Sequence, residues 1–312
     1  MKDKGEIIME KQEYILGIDI GGTSIKIGVV SEGNVIESYS VRNIYKGHFN
    51  NLLPGIYPLC DKYIKKYFIN KIGVGCPGDF KDNVLIKAVN LGWQNINVLQ
   101  KFKETFPNKE IIVANDGYAA YMAERKYGDL KEEVNGVMLT IGKGIGGTLL
   151  INNQVVKGSH NMGGRIGHMV IRSGGRKCNC GKKGCFEAYG SITGLLKTVN
   201  EYNLKEYPEQ EKIDVERLSG YKIAQYLKEE KKVVVDAVNK WHKDIVEGIL
   251  NICNFMDPNM IIIAGGITES EILNIDYLIE KIHSKGYKKV TIKSSSLKGN
   301  TGLIGATSLF IE

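Results

Sequence analysis

The amino-acid sequence predicts an α/β protein made of two similar domains with a cleft between them. Two observations predict this fold. The segments Ile15–Val30 and Val137–Ile151 both place the tetrapeptide Ile-Gly-Gly-Thr between runs of β-forming residues, and a turn and a further apolar run follow each of them. Such a repeat indicates a strand–glycine turn–strand hairpin used twice. Elsewhere strand patterns alternate with helix patterns, which is typical of sheets covered by helices.

The bulk composition is that of an ordinary globular protein. The chain has 312 residues, of which 43% are hydrophobic and 25% charged, and its net charge is +7. The lysines are scattered, often beside glutamates, so we expect a solvated surface and no nucleic-acid partner. No apolar stretch is long enough for a membrane helix, and the charged segment MKDKGEIIMEKQ lacks the apolar core of a signal peptide. We therefore expect a cytoplasmic protein with no membrane partner.

The elements between the two hairpins follow from hydrophobic periodicity. The pattern predicts, in order, a helix over residues 51–68, a buried strand over 71–78, a short helix over 101–106, a strand over 110–116 and an amphipathic helix over 117–128. We expect these elements to build the first sheet and its covering helices.

The elements after the second hairpin are mainly helical. Residues 191 to about 254 are mostly helical in pattern, and the longest helical run is KKVVVDAVNKWHKDIVEGILNICNFM, over residues 231–256. The segment NMIIIAGGI then predicts a buried strand that ends at Gly265 and Gly266. The final segment, TGLIGATSLF, predicts the start of a glycine-led helix.

Three glycine loops at strand ends predict a phosphate-binding site. They are DIGGT (Asp19–Thr23), GKGIGG (Gly142–Gly147) and AGG (Ala264–Gly266). Glycine lets the main chain approach phosphate oxygens closely, so that its N–H groups donate to the anion. Asp19 is a candidate Mg²⁺ ligand, and Lys26 either contacts phosphate or faces solvent. The alternative is that these are ordinary turn glycines; neither a P-loop nor a Rossmann fingerprint is present.

An acid stands where a predicted buried strand opens into a helix. In VANDGYAA, Asn115 and Asp116 occupy this junction. Phosphoryl transfer to an alcohol needs a carboxylate that accepts the hydroxyl proton, and strand ends facing a cleft are where such groups lie. The alternative is that Asp116 only caps the helix.

A compact cluster of metal-binding residue types lies in MGGRIGHMVIRSGGRKCNCGKKGCFE. His168, Cys178, Cys180 and Cys185 supply three thiolates and one imidazole, the set that structural zinc prefers. The alternative is three free thiols near a helix. Glu187 follows the cluster and is either a hydrogen-bond acceptor for hydroxyl groups or a surface residue.

These motifs together resemble the ROK family, whose enzymes are ATP-dependent sugar kinases on an actin-like fold. The resemblance covers DIGGT, GVGCPG, NDGYAA, TIGKGIGG, GRIGHM, CNCGKKGCFEAYGS and IIIAGGI, which is nearly the whole chain. With this two-domain actin-like (ribonuclease H-like) ATPase fold, we expect a small α/β domain over 1–118, to which a helix over 301–312 returns. A larger α/β domain over 119–300 would carry the zinc loop.

The resemblance also implies roles for individual residues. It implies Asp116 as the general base, with ATP and Mg²⁺ as cofactors beside structural Zn²⁺. The implied phosphate contacts are Asp19, Gly21, Gly22, Thr23, Thr140, Gly142, Gly144 and Gly146, and Gly265 and Gly266 lie near adenosine. The implied sugar contacts are Gly78, Asn90, Asn115, His168 and Glu187. His168 can serve both metal and sugar only if each takes one ring nitrogen.

Two positions depart from the family pattern. Lys143 replaces a usual threonine, and it either adds a charge to the phosphate cradle or faces solvent. Arg165 replaces a usual glutamate that accepts hydrogen bonds from sugar hydroxyls, whereas a guanidinium only donates. Arg165 would donate to sugar oxygens, to an N-acetyl carbonyl or to an acidic group, or it would pair with a carboxylate.

Three functions follow as hypotheses. The first is a hexose kinase, with glucose as the leading substrate and N-acetylmannosamine or another hexose next. The second is a sugar-responsive transcription regulator, which would need a helix-turn-helix module ahead of the first strand near Tyr14. The third is a sugar-binding protein without activity, in which the retained Asp116 and glycine loops would have no use. A homodimer would fit the family.

Overall fold

The computed structural model describes residues 12–81, 84–159, 162–205, 207–216 and 218–310. Most of the N-terminal segment that the sequence analysis examined for a signal peptide, residues 1–11, lies outside these ranges, as do the last two residues of the predicted closing helix. Within the described ranges, no helix is long and apolar enough to cross a membrane.

The structure alternates strands and helices along the chain. The strands are β1 (Ile15–Ile20), β2 (Ser24–Ser31), β3 (Asn34–Arg42), β4 (Lys71–Cys76), β5 (Asp79–Lys81), β6 (Val84–Ala88), β7 (Trp93–Asn97), β8 (Glu110–Asn115), β9 (Gly136–Ile141), β10 (Ile145–Ile151), β11 (Gln154–Val155), β12 (Met260–Ala264) and β13 (Thr291–Ser294). The helices are α1 (Phe49–Tyr67), α2 (Val98–Thr105), α3 (Asp116–Tyr127), α4 (Glu187–Gly190), α5 (Ile192–Asn203), α6 (Gly220–Lys228), α7 (Lys232–Met256), α8 (Ile275–Ser284) and α9 (Thr301–Ser308).

The first sheet contains the first glycine hairpin. Its strand order is β3-β2-β1-β4-β8, with β1 and β2 antiparallel and β1, β4 and β8 parallel. Helix α9 packs directly on the backbone of this sheet, because a Cβ at Gly17 would lie 2.8 Å from the carbonyl oxygen of Leu303. The closing helix therefore contacts the sheet that begins the chain.

The second sheet repeats this arrangement. Its order is β11-β10-β9-β12-β13, with β9 and β10 antiparallel and β9, β12 and β13 parallel. Helix α7 supplies the centre of its core, where the indole of Trp241 is fully buried and donates to the carbonyl of Gly190 at 3.0 Å. The two predicted glycine hairpins and the predicted α/β class are confirmed.

A third, small antiparallel sheet was not predicted. It has the order β5-β6-β7 and inserts between β4 and α2. Its strands alternate buried and exposed positions only irregularly, for example in β7, where Trp93 is buried and its neighbours are mostly exposed. The period-two pattern that identifies a strand is therefore weak here.

Helices α3 and α9 cross closely between the two main sheets. A Cβ at Gly305 would overlap the carbonyl oxygen of Ala119, so the helices meet backbone to backbone. The fully buried carboxyl group of Glu124 accepts from the hydroxyl of Ser295 and from the amide of Asp129. Burial raises the pKa of Glu124. This crossing joins the two parts of the chain that contain the main sheets. The domain limits at 118 and 300 remain a prediction.

Candidate active site

A cleft of about 870 Å³ receives residues from both glycine hairpins. Most residues predicted for nucleotide or sugar lie on its wall. Those lining it are Gly21, Gly22, Thr23, Gly78, Asn90, Asn115, Asp116, Thr140, Gly142, Gly144, Gly146, Arg165, His168, Glu187 and Gly265. Six predicted residues are not in the lining: Asp19, Lys26, Gly266, Cys178, Cys180 and Cys185.

Two acids lie close together at the ends of parallel strands. Asp19 in β1 pairs in register with Gly75 in β4, and a Cβ at Gly75 would lie 3.9 Å from both the Asp19 Oδ1 and the Asp116 Cα. Burial raises the pKa of Asp19 to about 6, with a further contribution from Asp116 and an opposing one from Lys26. Burial also raises the pKa of Asp116. Both acids are half-buried, and two neighbouring carboxylates favour a bound cation.

The helix cap at this junction is Asn115 and not Asp116. The Asn115 Oδ1 accepts from the amides of Gly117 (2.9 Å) and Tyr118 (3.2 Å), and its Nδ2 donates to the carbonyl of Gly78 at 2.9 Å. One Asp116 oxygen accepts from the amide of Gly117 at 2.9 Å. The capping role considered for Asp116 is thus performed by its neighbour, and Asp116 begins α3 on the cleft wall.

The glycine loops leave room for a ligand. A Cβ at Gly142 or at Gly266 would meet nothing within 4 Å, so packing within the protein does not require glycine there. Gly265 is different, because its φ is +98° and a Cβ would lie 2.5 Å from the carbonyl of Ile141. Open space beside backbone amides at strand ends suits a phosphate chain.

Lys26 does not point its ammonium group into the cleft. Its Nζ donates to the carbonyl of Gly299 at 2.6 Å, just ahead of α9. In the sequence, a lysine three positions after DIGGT is equally suited to bind phosphate. Only the fold shows that its partner is a carbonyl group 273 residues away.

The predicted metal ligands converge. One ligand atom from each of His168, Cys178, Cys180 and Cys185 can be chosen so that all lie within 4.8 Å of one another. The His168 Nδ1 is 3.6 Å from the Cys178 Sγ, and the Sγ atoms of Cys180 and Cys185 are 3.6 Å apart. Sulfur ligands at about 2.3 Å from tetrahedral zinc would stand about 3.8 Å apart. The four side chains therefore fit the ion, and the Nε2 of His168 remains for the cleft.

Glu187 links the metal loop to the second glycine loop. Its Oε2 accepts from the amide of Ile145 at 3.0 Å, and its Oε1 lies 3.6 Å from the Cys178 Sγ. A Cβ at Gly144 would overlap this carboxylate. Since a carboxylate offers about four acceptor positions, Glu187 can still accept from hydroxyl groups.

The metal loop is also anchored away from the cleft. The guanidinium groups of Arg172 and Arg176 lie 4.9 Å and 4.7 Å from the ring centre of Tyr189. Arg172 pairs with the buried carboxylate of Asp244 in α7. Arg176 donates to the carbonyl of Ala188 at 3.2 Å, next to Glu187. These contacts hold the start of α4 in place independently of the metal.

Arg165 pairs with an acid from the opposite wall. Its Nη2 lies 3.9 Å from the Oδ2 of Asp79, which begins β5. Asp79 also lines the cleft and was not predicted, although it directly follows the Cys-Pro-Gly motif. Lys46 is a second missed residue of the lining, and no motif surrounds it. The pairing alternative for Arg165 therefore applies in this structure.

Comparison with known proteins identifies the family. Residues 15–312 match the model of the ROK family. The chain belongs to the ROK family. It is 27% identical over 269 residues to a glucokinase of Halalkalibacterium halodurans, covering 82% of this chain and 81% of the relative. It is 26% identical to the xylose repressor of Bacillus subtilis, covering 98% of this chain and 79% of the relative. ROK relatives thus include both kinases and repressors.

A solved ROK structure shows the same fold. The glucokinase of Streptomyces griseus, in complex with glucose and AMPPNP, superposes with a TM-score of 0.82 at 23% identity. The match covers 95% of this chain and 98% of that one. The predicted α/β, actin-like ATPase fold is confirmed.

Proposed function

We propose that this ROK protein is an ATP-dependent hexose kinase that transfers the γ-phosphate of ATP to the 6-hydroxyl of a sugar, with glucose as the leading substrate. The observation that carries the proposal is the position of Asp116. It lines the cleft at the end of β8, and glycine loops from both sheets line the same cleft. An acid at this position can accept the hydroxyl proton that phosphoryl transfer removes.

Asp116 acts as the general base. Its carboxylate accepts the proton of the 6-hydroxyl while that oxygen forms a bond to the γ-phosphorus and the bond from this phosphorus to the ADP oxygen breaks. The raised pKa makes Asp116 a stronger base than a free carboxylate, and Gly117 holds one of its oxygens. Because the base must be ionised, the rate falls as pH decreases through this raised pKa.

The donor's phosphates lie along the glycine loops. The amides of Gly22, Thr23, Lys143 and Gly144 would donate to phosphate oxygens, since those of Gly21, Gly142 and Ile145 already donate within the protein. The open space at Gly142 admits the chain. Asp19 would hold Mg²⁺, directly or through water, since the crowding of Asp19 and Asp116 favours a cation there. When bound, this ion neutralises phosphate charge. Gly265 and Gly266 would border the adenosine.

The sugar binds at the other end of the cleft. Asn90, Asn115, Glu187, the Nε2 of His168 and the backbone of Gly78 are the groups offered to hydroxyls. Structural Zn²⁺ would be held by His168 and the three cysteines. It would fix the His168 ring, and with it one side of the sugar pocket.

A coupled assay of ADP release tests the proposal. The panel contains glucose, mannose, fructose, allose, N-acetylglucosamine and N-acetylmannosamine with magnesium-ATP, and Asp116→Asn is the blank. We expect turnover on glucose, reduced at least about 1,000-fold in the blank, with unchanged thermal stability.

Other outcomes would change the assignment. Turnover on an N-acetyl sugar alone would move the substrate to the N-acetylhexosamines. No turnover on any sugar would contradict the kinase proposal and favour a binding or regulatory role, which sugar titration by calorimetry would then detect.

A further inference from the structure

Lys143 stands on a rigid turn of the cleft wall. The amide of Gly142 donates to the carbonyl of Gly144 at 3.0 Å, and the carbonyl of Gly142 accepts from the amide of Ile192 at 2.9 Å. The hydroxyl of Thr193 donates to the carbonyl of Lys143 at 2.7 Å. The backbone of this turn is thus held to the start of α5, while the lysine side chain stays exposed beside the cleft.

Lys46 stands on a rigid segment of the opposite side. The buried side chain of Asn43 donates to the carbonyl of Gly21 at 2.7 Å and accepts from the amide of Tyr45 at 3.0 Å. The amide of Asn43 donates to the carbonyl of Thr23 at 2.7 Å. One buried residue therefore ties the segment that carries Lys46 to the first glycine loop.

Both lysines line the same cleft, and their positive charges act on each other. Partial burial lowers the pKa of Lys143, and the positive charge of Lys46 lowers it further. Throughout the part of the chain that the structure describes, neither lysine has a carboxylate within ion-pair distance. Two unneutralised cations that face the same cleft repel each other until an anion lies between them.

We propose that Lys46 and Lys143 bind the phosphate chain of the donor from both sides of the cleft, and that they select donors by the number of their phosphate charges. The inference rests on the proposed phosphoryl transfer and concerns the donor end of the same site. A lysine is a compact point charge that suits phosphate from any direction, so the pair attracts a triphosphate more strongly than a diphosphate.

Calorimetric titration tests this inference without turnover. The probes are AMPPNP and ADP, each with Mg²⁺, and adenosine. The variants are Lys46→Gln and Lys143→Thr, with Lys103→Gln as the control, because Lys103 is exposed on α2 and loses the same charge. We expect each cleft variant to weaken AMPPNP about tenfold, ADP less, and adenosine not at all. The control should bind all three probes as the parent does.

Two results would overturn the inference. The first is unchanged AMPPNP affinity in both cleft variants, which would mean that the lysines only face solvent. The second is an equal loss for adenosine, which would indicate a distorted pocket. If the protein phosphorylates no sugar but the cleft variants lose AMPPNP affinity selectively, the kinase proposal is refuted and the role of the lysine pair stands. If the variants phosphorylate sugar and bind AMPPNP as the parent does, the role of the lysine pair is refuted and the kinase proposal stands.

Discussion

Arg165 and Asp79 both line the cleft and form an ion pair with each other. The pair is long, at 3.9 Å, and both side chains are substantially exposed, so it contributes at most about 1 kcal/mol. Its effect is therefore on orientation: the guanidinium is drawn toward the opposite wall.

We expect Arg165→Met to raise the KM for the sugar about three- to tenfold and to leave the KM for MgATP unchanged. Loss of one charged hydrogen bond with an exposed partner corresponds to this range. Steady-state kinetics on the preferred sugar would measure it, with Asp79→Asn as the companion variant. If the two residues act together, the double variant costs no more than the worse single one; a raised KM for MgATP alone would contradict this role.

Burial of His242 makes the free energy of unfolding depend on pH. The ring is buried, its Nε2 accepts from the amide of Asn274 at 2.9 Å, and burial lowers its pKa to about 4 from 6.5. The unfolded chain therefore takes up this proton at a higher pH than the folded one. The resulting stability is complete above pH 6.5 and is lost as pH falls from 6.5 toward 4.

Between pH 7 and pH 5 this group should remove about 2 kcal/mol of unfolding free energy, at 1.36 kcal/mol per pH unit below 6.5. Urea unfolding at the two pH values measures the loss. In His242→Gln, whose amide oxygen can still accept from Asn274, the loss should shrink by about that amount. An identical pH dependence in both proteins would rule out His242 as its source.

At the scale of elements, the turn between β9 and β10 contacts the Glu187 side chain and also borders the space proposed for phosphate. On one side of this turn Gly144 lies against the Glu187 carboxylate, and on the other Gly142 faces open space. Replacing glycine by alanine should therefore have different effects at positions 142 and 144.

We expect Gly144→Ala to raise the KM for the sugar at least about tenfold, because its Cβ displaces the carboxylate from the amide of Ile145. Gly142→Ala should instead raise the KM for MgATP, because its Cβ projects into the space proposed for phosphate. Each variant is the control for the other, and kinetics with both substrates varied separates them. Equal effects on both KM values in both variants would show only a distorted turn.

At the scale of the whole molecule, the two sheets are joined where α3 crosses α9. The contact at Gly305 leaves no room for a side chain, and the buried Glu124, Ser295 and Thr301 form a polar network beside it. These buried contacts therefore hold the two sheets together.

We expect Gly305→Ala to lower the unfolding free energy by about 1–3 kcal/mol through overpacking at this crossing. Gly220→Ala is the matched control, since the nearest atom to its Cβ would be 4.0 Å away and alanine favours helix. Thermal unfolding would compare the two variants with the parent. If the Gly305→Ala protein is as stable as the control, the two helices can move apart enough to accept a side chain at this crossing.

The sequence by itself determined the local features. Turn chemistry and strand periodicity located both glycine hairpins, the strand end that presents Asp116 and the spacing of the four metal ligands, because each depends on residues close together in the chain. At Asn115, however, the local sequence alone does not identify the residue that caps the helix. Either acid or amide suits a helix cap, and only the hydrogen bonds distinguish Asn115 from its neighbour.

The tertiary structure decided which distant residues meet. Lys26 lies three positions after a glycine loop, yet it donates to Gly299. Arg165 faces Asp79, and Lys143 lines the same cleft as Lys46. The β5-β6-β7 sheet that presents Asp79 has no clear periodic pattern. Hydrophobic periodicity and turn residues act over a few positions, whereas these contacts depend on how two separately formed sheets are placed around the α3–α9 crossing. That placement creates the cleft, and with it the charges that any substrate meets.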